Sequence, residues 1–351
     1  MKKLFKLLSL SICIAIVGGL SIGCSKKSSE EINFLNYGEN IDKETVKEFE
    51  KQYGIKVNIE TFDDMETMYQ KVSSGGIKYD VILVSDALMP RIIEKGLLKE
   101  LNKDNIPNIS QMDESYLNLK IDPGNKYSVP YMFGTIGLIY NKDVVKEKVD
   151  SWDILWNEKY KDRIFMFDTY RDTMGAALKK LGYSLNSTNK KEIEEAKELL
   201  IKQREMVHPI YGVDNGTTMI PAGESDINMI WSGEGLNLQE ENPNLVYVVP
   251  KEGANFWIDS LCIPKNAENV EGAEKFINFV SDKESALRIA DEIGYTTPNK
   301  EARLEQPEEV RNNPNAYMPK EIMDRCEIYV DFPSDVKRLY DEAWITIKSN
   351  K

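Results

Sequence analysis

The 351-residue chain carries 45 Lys and Arg against 58 Asp and Glu, a formal charge of −13 at neutral pH. That balance excludes an unaided nucleic-acid binder, which needs a basic stripe to neutralise phosphates, and the length implies about two domains of the usual ~100–200 residues. A hydrophobic content of 41% is that of a globular protein, neither disordered nor polytopic in a membrane. The single histidine, His208, stands before Pro209 in a stretch that reads as a loop. A His-built zinc site or a Ser-His-Asp triad is therefore hard to assemble.

The first segment reads as an export signal. Lys2, Lys3 and Lys6 precede an apolar stretch from Leu7 to Val17, and the small residues Gly18, Gly19 and Gly23 follow. Leu20-Ser21-Ile22-Gly23-Cys24 is similar to a bacterial lipobox, with Ser21 where that pattern has Leu. Residues 1–23 are expected to be a lipoprotein signal peptide and Cys24 the lipidated first residue of the mature chain. The alternative is an uncleaved anchor, and both place the remainder outside the cytoplasm, in the periplasmic space or on the outer face of the cell membrane. Residues 24–31 form the lipidated Cys and a polar tether, so folding is expected to begin near Ile32. Loss of residues 1–23 removes three lysines and no acids, taking the charge from −13 to −16. An acidic body favours small cationic ligands. Of the remaining cysteines, Cys262 lies in the apolar run Leu261-Cys262-Ile263 and reads as a buried small hydrophobe, and with Cys326 it implies no disulfide framework.

From Ile32 the chain alternates strand and helix. Ile32–Tyr37 is a short apolar strand, and Val46, Phe49 and Tyr53 mark a helix with Asp42 as N-cap and Gly54 as stop. Ile55, Val57 and Ile59 alternate as a strand, and Met65, Met68, Tyr69 and Val72 form a helical stripe ended by Gly75-Gly76. Val81–Val84 is an unbroken apolar run, the pattern of a strand covered on both faces, followed by a helix through Leu88, Ile92 and Ile93. This βαβαβ order predicts a parallel sheet wrapped by helices. The pattern restarts after Pro130, with strands at Ile136–Tyr140 and Leu245–Val249 and a helix through Ile193, Ala196, Leu199 and Leu200. Two late helices carry Val270, Ala273, Phe276, Ile277 and Val280, and then Val336, Leu339, Tyr340, Trp344 and Ile347.

Ligands of open α/β sheets sit at the carboxyl ends of strands. Those places hold Tyr37-Gly38-Glu39-Asn40, Ser85-Asp86, Trp231-Ser232-Gly233-Glu234, Phe256-Trp257-Ile258-Asp259 and Tyr295. In an extended segment Trp257 and Asp259 share one face, pairing an aromatic wall with a carboxylate. Such a surface suits an alkyl ammonium, because the rings attract the cation and cover its methylenes while the acids take charge-assisted hydrogen bonds. Taken singly, Trp231 and Trp257 read equally well as core anchors, and Glu234 and Asp259 as caps or surface acids. The recurrence of the pairing at separate strand ends favours the ligand reading.

These segments resemble the spermidine/putrescine-binding protein family, the extracytoplasmic receptors of polyamine ABC importers. The likeness rests on Asn33 through Ile41, on Met229-Ile230-Trp231-Ser232-Gly233, on Phe256-Trp257-Ile258-Asp259-Ser260-Leu261, and on Ile293-Gly294-Tyr295-Thr296-Thr297-Pro298-Asn299. Ser151-Trp152-Asp153-Ile154-Leu155-Trp156 is shared more widely among solute receptors. The resemblance implies an α/β, two-lobed, type II periplasmic-binding-protein-like fold. Each lobe would be a mixed, mostly parallel sheet flanked by helices, with the ligand cleft between lobes. It implies an N-terminal lobe of 32–134 plus 259–303 and a C-terminal lobe of 135–258 plus 304–351, closing on a polyamine such as putrescine or spermidine.

Carried over residue by residue, Tyr37, Trp231, Trp257 and Tyr295 match aromatic walls, Ser85 a polar contact and Asp259 the ammonium-binding acid. Glu39 and Glu234 match acids used by putrescine-preferring members, and Asp172 replaces a glutamate one methylene longer. The implied partners are the polyamine, an ABC permease and, through lipid, the membrane; a monomer with no cofactor, metal or nucleic acid is expected. The chain departs from the pattern at Asn40 and Ala87, where rings are expected, at Thr169, where an aspartate is expected, and at Gly38, where a small hydroxyl residue is expected. The length of the polyamine is thus left open, with Asp168 and Tyr170 as alternatives for the missing acid.

Three other readings compete. A secreted hydrolase would use Glu234 and Asp259 as acid and base, but the chain has no G-x-S-x-G, P-loop, H-E-x-x-H or C-x-x-C device. A polyamine sensor for a membrane signalling protein would present the same closed surface as a transport receptor. An iron receptor would need a cluster beyond Tyr37, Tyr295 and one histidine.

Overall fold

The computed structural model describes residues 30–349 except Glu39 and Asp214. The export signal, Cys24 and the candidate acid Glu39 therefore lie outside the described residues. β1 (Glu30–Tyr37) starts two residues before Ile32, so the last two residues assigned to the tether belong to the sheet. The helix Lys43–Tyr53 begins where the Asp42 carboxylate accepts from the backbone N–H groups of Glu44 at 3.1 Å and Thr45 at 2.7 Å, and it stops at Gly54. β2 (Ile55–Phe62), the helix Met65–Ser74 and β3 (Val81–Ser85) follow as the periodicity predicts. β1 lies between β2 and β3 and parallel to both, and Val81–Val84 are fully buried.

The next strand is longer than the sequence pattern indicates. β4 runs from Ser128 to Asn141, through Pro130, instead of only over Ile136–Tyr140. Proline has no N–H to give a ladder, and it is accommodated because the register against the neighbouring strand shifts between Pro130 and Met132. β5 (Ile164–Phe167), β6 (Ile210–Gly212), β7 (Ile227–Trp231), β8 (Leu245–Val248) and β9 (Phe256–Cys262) complete the described strands. β8 alternates buried Leu245 and Tyr247 with half-buried Val246 and Val248, because it pairs only with β4 and is covered on one face.

The strands follow the order β2-β1-β3-β9-β4-β7-β5-β6, with β8 on the far part of β4. The sheet is parallel at its flanks and antiparallel through its middle, where β9 pairs with β3 and β4, and β4 with β7 and β8. The first half of β4 pairs with β9 up to Thr135, and from Ile136 its second half pairs with β7. One continuous strand thus joins two hydrophobic clusters. One packs Ile32, Phe34, Leu83, Leu261 and Phe276; the other packs Leu138, Trp152, Phe165, Met229 and Tyr340. The helix Lys190–Val207 and the terminal helix Ser334–Ser349 cover the second cluster.

Gly137 lies on β4 where a Cβ would come within 2.5 Å of the Val248 carbonyl oxygen and 2.6 Å of the Tyr247 hydroxyl. Backbone cannot yield there as a flexible side chain could. Gly137→Ala is expected to destabilise the fold by about 1–3 kcal/mol, read as a lower urea midpoint with an unchanged slope. An unchanged midpoint would contradict the β4–β8 packing.

Candidate functional site

The ends of β1, β3 and β9 converge. Tyr37 closes β1, and Ser85 closes β3 in register opposite Asp259 of β9, whose other neighbour in the sheet is Met132 of β4. Along β9, Phe256 and Ile258 enter a cluster with Tyr116 and Phe133, whereas Trp257 packs against the opposite side with Tyr295. The strand alternation expected of Trp257 and Asp259 is therefore present.

Tyr295 is held by its neighbours in the chain. It follows Gly294, which ends the helix Lys283–Ile293, and the Thr296 hydroxyl donates to the Phe133 carbonyl at 2.5 Å. The Tyr295 ring meets Trp257 edge-on, with centroids 5.1 Å apart. It also lies directly on the backbone of Gly233, where a Cβ would be 2.4 Å from two ring carbons. Gly134 does the same for Trp257, whose ring carbon a Cβ would approach to 2.5 Å. Only residues without a side chain let the two rings lie this close to β4 and to the helix Ser232–Glu241.

Charge gathers around these rings. Asp259 is 7% exposed, and burial pushes its carboxyl up to about 7. Asp86, the residue after Ser85, is 3% exposed and is held well above the usual carboxylate range, first by burial and then by the charge of Asp259. Its Oδ2 has no hydrogen-bond partner among the described residues, nor does the indole N–H of Trp257 or the fully buried side-chain amide of Asn36 on β1. The Tyr295 hydroxyl is raised by burial and then by the charges of Glu234, Asp259 and Tyr37. Glu234 stands in the first turn of the helix Ser232–Glu241, and Trp231 at the end of β7 stacks on Phe167 with centroids 4.4 Å apart.

A second tyrosine links the remaining acid. Asp172, in the first turn of the helix Tyr170–Lys180, accepts from the Thr169 hydroxyl and from the Tyr329 hydroxyl at 2.9 Å. Burial pushes its carboxyl up, and the two hydroxyls offset part of that shift. Tyr329 also feels the charge of Asp86, and the Arg171 guanidinium lies 4.3 Å over its ring.

The structure thus collects Tyr37, Ser85, Glu234, Trp257, Asp259 and Tyr295, and connects Asp172 to them through Tyr329. Of the two alternatives for the acid missing at Thr169, Asp168 pairs with Lys348 at 2.9 Å, and Tyr170 packs on Tyr340. Thr169 itself donates to Asp172. Sequence reasoning named Asp86 at a strand end without giving it a ligand role, and it did not select Tyr329. Asp86 carried a usable signal, a carboxylate directly after a fully apolar strand; Tyr329, in Glu327-Ile328-Tyr329-Val330, carried none.

A carboxyl raised toward 7 in the folded state binds its proton more tightly than in the unfolded chain, where the group titrates near 4. Its contribution to stability is present below about pH 4 and is lost as pH rises through about 7. In the absence of ligand, Asp259→Asn should therefore gain stability relative to the parent across that window, by at most about 1.4 kcal/mol per pH unit. Parallel thermal melts of the two proteins read the gap directly, and a constant gap would mean that Asp259 is ionised throughout.

The sequence pattern of the bacterial extracellular solute-binding protein family matches residues 44–319. The spermidine/putrescine-binding periplasmic protein of Escherichia coli is 35% identical over 339 residues, covering 95% of this chain and 97% of that protein. The putrescine-binding periplasmic protein SpuD of Pseudomonas aeruginosa is 31% identical over 360 residues, covering 97% and 98%. Among solved structures, the spermidine/putrescine ABC transporter substrate-binding protein PotD of Streptococcus pneumoniae superposes with a TM-score of 0.86 at 36% identity, covering 92% of this chain and 99% of that one. A lipoprotein of Treponema pallidum shares the fold at a TM-score of 0.81 and 24% identity, covering 91% and 99%. With its strand ends, aromatic pair and buried acids in the arrangement described, the chain belongs to the bacterial extracellular solute-binding proteins and, within them, to the spermidine/putrescine-binding family.

Proposed function

We propose that the protein binds a polyamine, putrescine or spermidine, outside the cytoplasmic membrane and hands it to an ABC permease for uptake. The observation that carries this reading is the pair of buried carboxyl groups, Asp86 and Asp259, set beside Trp257 and Tyr295 without an ion-pair partner among the described residues. Such groups lack a cation, and an alkyl ammonium supplies one while its methylenes lie against the rings. The relatives named above are called binding proteins, and the role proposed is that of a carrier rather than an enzyme.

In this reading residues 32–134 plus 259–303 and residues 135–258 plus 304–351 act as two lobes joined by β4 and β9. The amine draws them together through contacts available only when they meet. Tyr295 on Gly233 is a contact of that kind. Cys24 would carry the lipid that keeps the monomeric receptor at the membrane next to its permease.

A thermal-shift titration of the full chain against putrescine, cadaverine, spermidine, spermine, arginine and ferric citrate tests the class. A ligand at about 1,000 times its dissociation constant stabilises the native state by roughly 4 kcal/mol, a rise of several degrees. A shift with polyamines and none with arginine or iron is expected; no shift with any polyamine would leave the family but remove the ligand.

Two substitutions refine the placement. Asp259→Ala should weaken polyamine binding more than tenfold, or about 1.4 kcal/mol, because it removes the anion beside a buried ammonium. Trp257→Ala should cost more for longer diamines than for short ones, since each methylene covered contributes. Equal losses along the series would argue against that wall.

A further inference from the structure

The indole N–H of Trp257 is buried and has no hydrogen-bond partner among the described residues. An orphaned donor is costly, and the amine proposed for this site does not relieve it. An ammonium group carries N–H donors and no lone pair, so the acceptor has to come from elsewhere. In the sheet Trp257 stands opposite Gly134, near the end of the stretch of β4 that pairs with β9, and two residues on, Ile136 stands opposite Trp231 of β7. Ser232, the first residue of the helix Ser232–Glu241, follows Trp231 directly.

Gly134 brings these two side chains together. A Cβ built there would lie 2.5 Å from the Ser232 Oγ, 2.5 Å from Cζ2 of Trp257 and 2.8 Å from its Cε2, the ring carbon bonded to the indole nitrogen. The Ser232 hydroxyl therefore lies beside the part of the indole that carries the nitrogen, across the bare backbone of a glycine. Ser232 is 3% exposed, and its Oγ accepts from the Thr135 backbone N–H at 3.1 Å. A hydroxyl oxygen has two lone pairs, so one is left without a donor among the described residues. The two groups belong to different parts of the molecule. Trp257 packs with the first hydrophobic cluster, and the helix that begins at Ser232 packs on the second through Leu238. Their separation thus depends on the angle between the two clusters.

We propose that Ser232 is the positioning residue for the Trp257 wall: when the lobes meet on the amine, the indole N–H donates to the Ser232 Oγ, which already holds β4 through Thr135. This rests on the polyamine reading of the same site. In this arrangement the hydroxyl acts through the ring and not on the amine. It fixes the plane against which the methylenes lie, and it ties that ring to the helix that carries Glu234. The bond satisfies a donor that the ammonium leaves unpaired, so a closed state with it is favoured over one without it. Loss of either partner then weakens binding while the ammonium contacts stay in place.

The test is a double-mutant cycle on the full chain, with putrescine affinity read by calorimetry for the parent, Ser232→Ala, Trp257→Phe and the double variant. Phenylalanine keeps an aromatic wall and removes the N–H. Ser232→Ala is expected to weaken binding by about two- to tenfold, the range of one net hydrogen bond, and to have no further effect once Trp257→Phe is present. The indole N–H resonances of the five tryptophans supply a readout that a merely structural serine would not move. The Trp257 signal, identified as the one missing from Trp257→Phe, should shift downfield and exchange more slowly with solvent on saturation with putrescine, and should do neither in Ser232→Ala. Unaltered affinity of Ser232→Ala, losses that multiply in the double variant, or a Trp257 signal that putrescine moves equally with and without the hydroxyl would overturn the proposal and leave the polyamine reading intact. Absence of heat with putrescine and with spermidine would overturn both. Should Ser232→Ala fail to fold, the Trp257 signal of the parent decides: slowed exchange on saturation supports the bond, and unchanged exchange contradicts it.

Discussion

A carboxylate taken out of water without a cation is among the costliest groups a fold can hold, and Asp86 and Asp259 are both so placed. The protein tolerates them by keeping them protonated more readily than free carboxylates, as their raised affinity for protons indicates. A cation brought beside them would favour their ionised forms. The aromatic pair Trp257 and Tyr295, the two glycines beneath their rings, and the hydroxyls around Asp172 all surround this site.

The fold makes such a site possible because its two central strands are antiparallel to their neighbours. β9 runs against β3, so its early residues Trp257 and Asp259 arrive at the carboxyl ends of β1 and β3, where Tyr37, Ser85 and Asp86 already lie. β4 continues past Thr135 into the pairing with β7 that places Trp231, Ser232 and Glu234 nearby. The Ser232 side chain accepts from the Thr135 N–H at 3.1 Å at that junction. A small change of angle between the two clusters would alter the contact of Tyr295 with Gly233. That contact is thus well placed to couple lobe position to ligand.

Much of the fold was readable because local signals agreed with tertiary demand. Asp42, Gly54, Val81–Val84 and the late helical stripes all behave as periodicity and capping predict. The extent of β4 was not readable, because Pro130 looks like a boundary until a neighbouring strand shifts register around it. β5, four residues long and buried, was missed for a related reason: Ile164–Phe167 is too short to show a period. At the site, the pairing of Trp257 with Asp259 followed from strand alternation alone. Tyr329 could not, since its bond to Asp172 spans 157 positions and leaves no pattern in the chain. Asp86 sat in plain view after β3, and only its burial and unpartnered oxygen distinguish it from a turn residue.

The central claim is that charge, more than shape, recruits the ligand. It is tested most directly by comparing putrescine with 1,4-butanediol, which has the same four methylenes and a hydroxyl at each end in place of an ammonium, in one calorimetric titration of the full chain near pH 8. Putrescine should bind saturably and the diol should give no measurable heat, because a neutral chain leaves Asp86 and Asp259 without a cation. Comparable affinity for the two would contradict the account, and the aromatic walls would then have to carry the recognition.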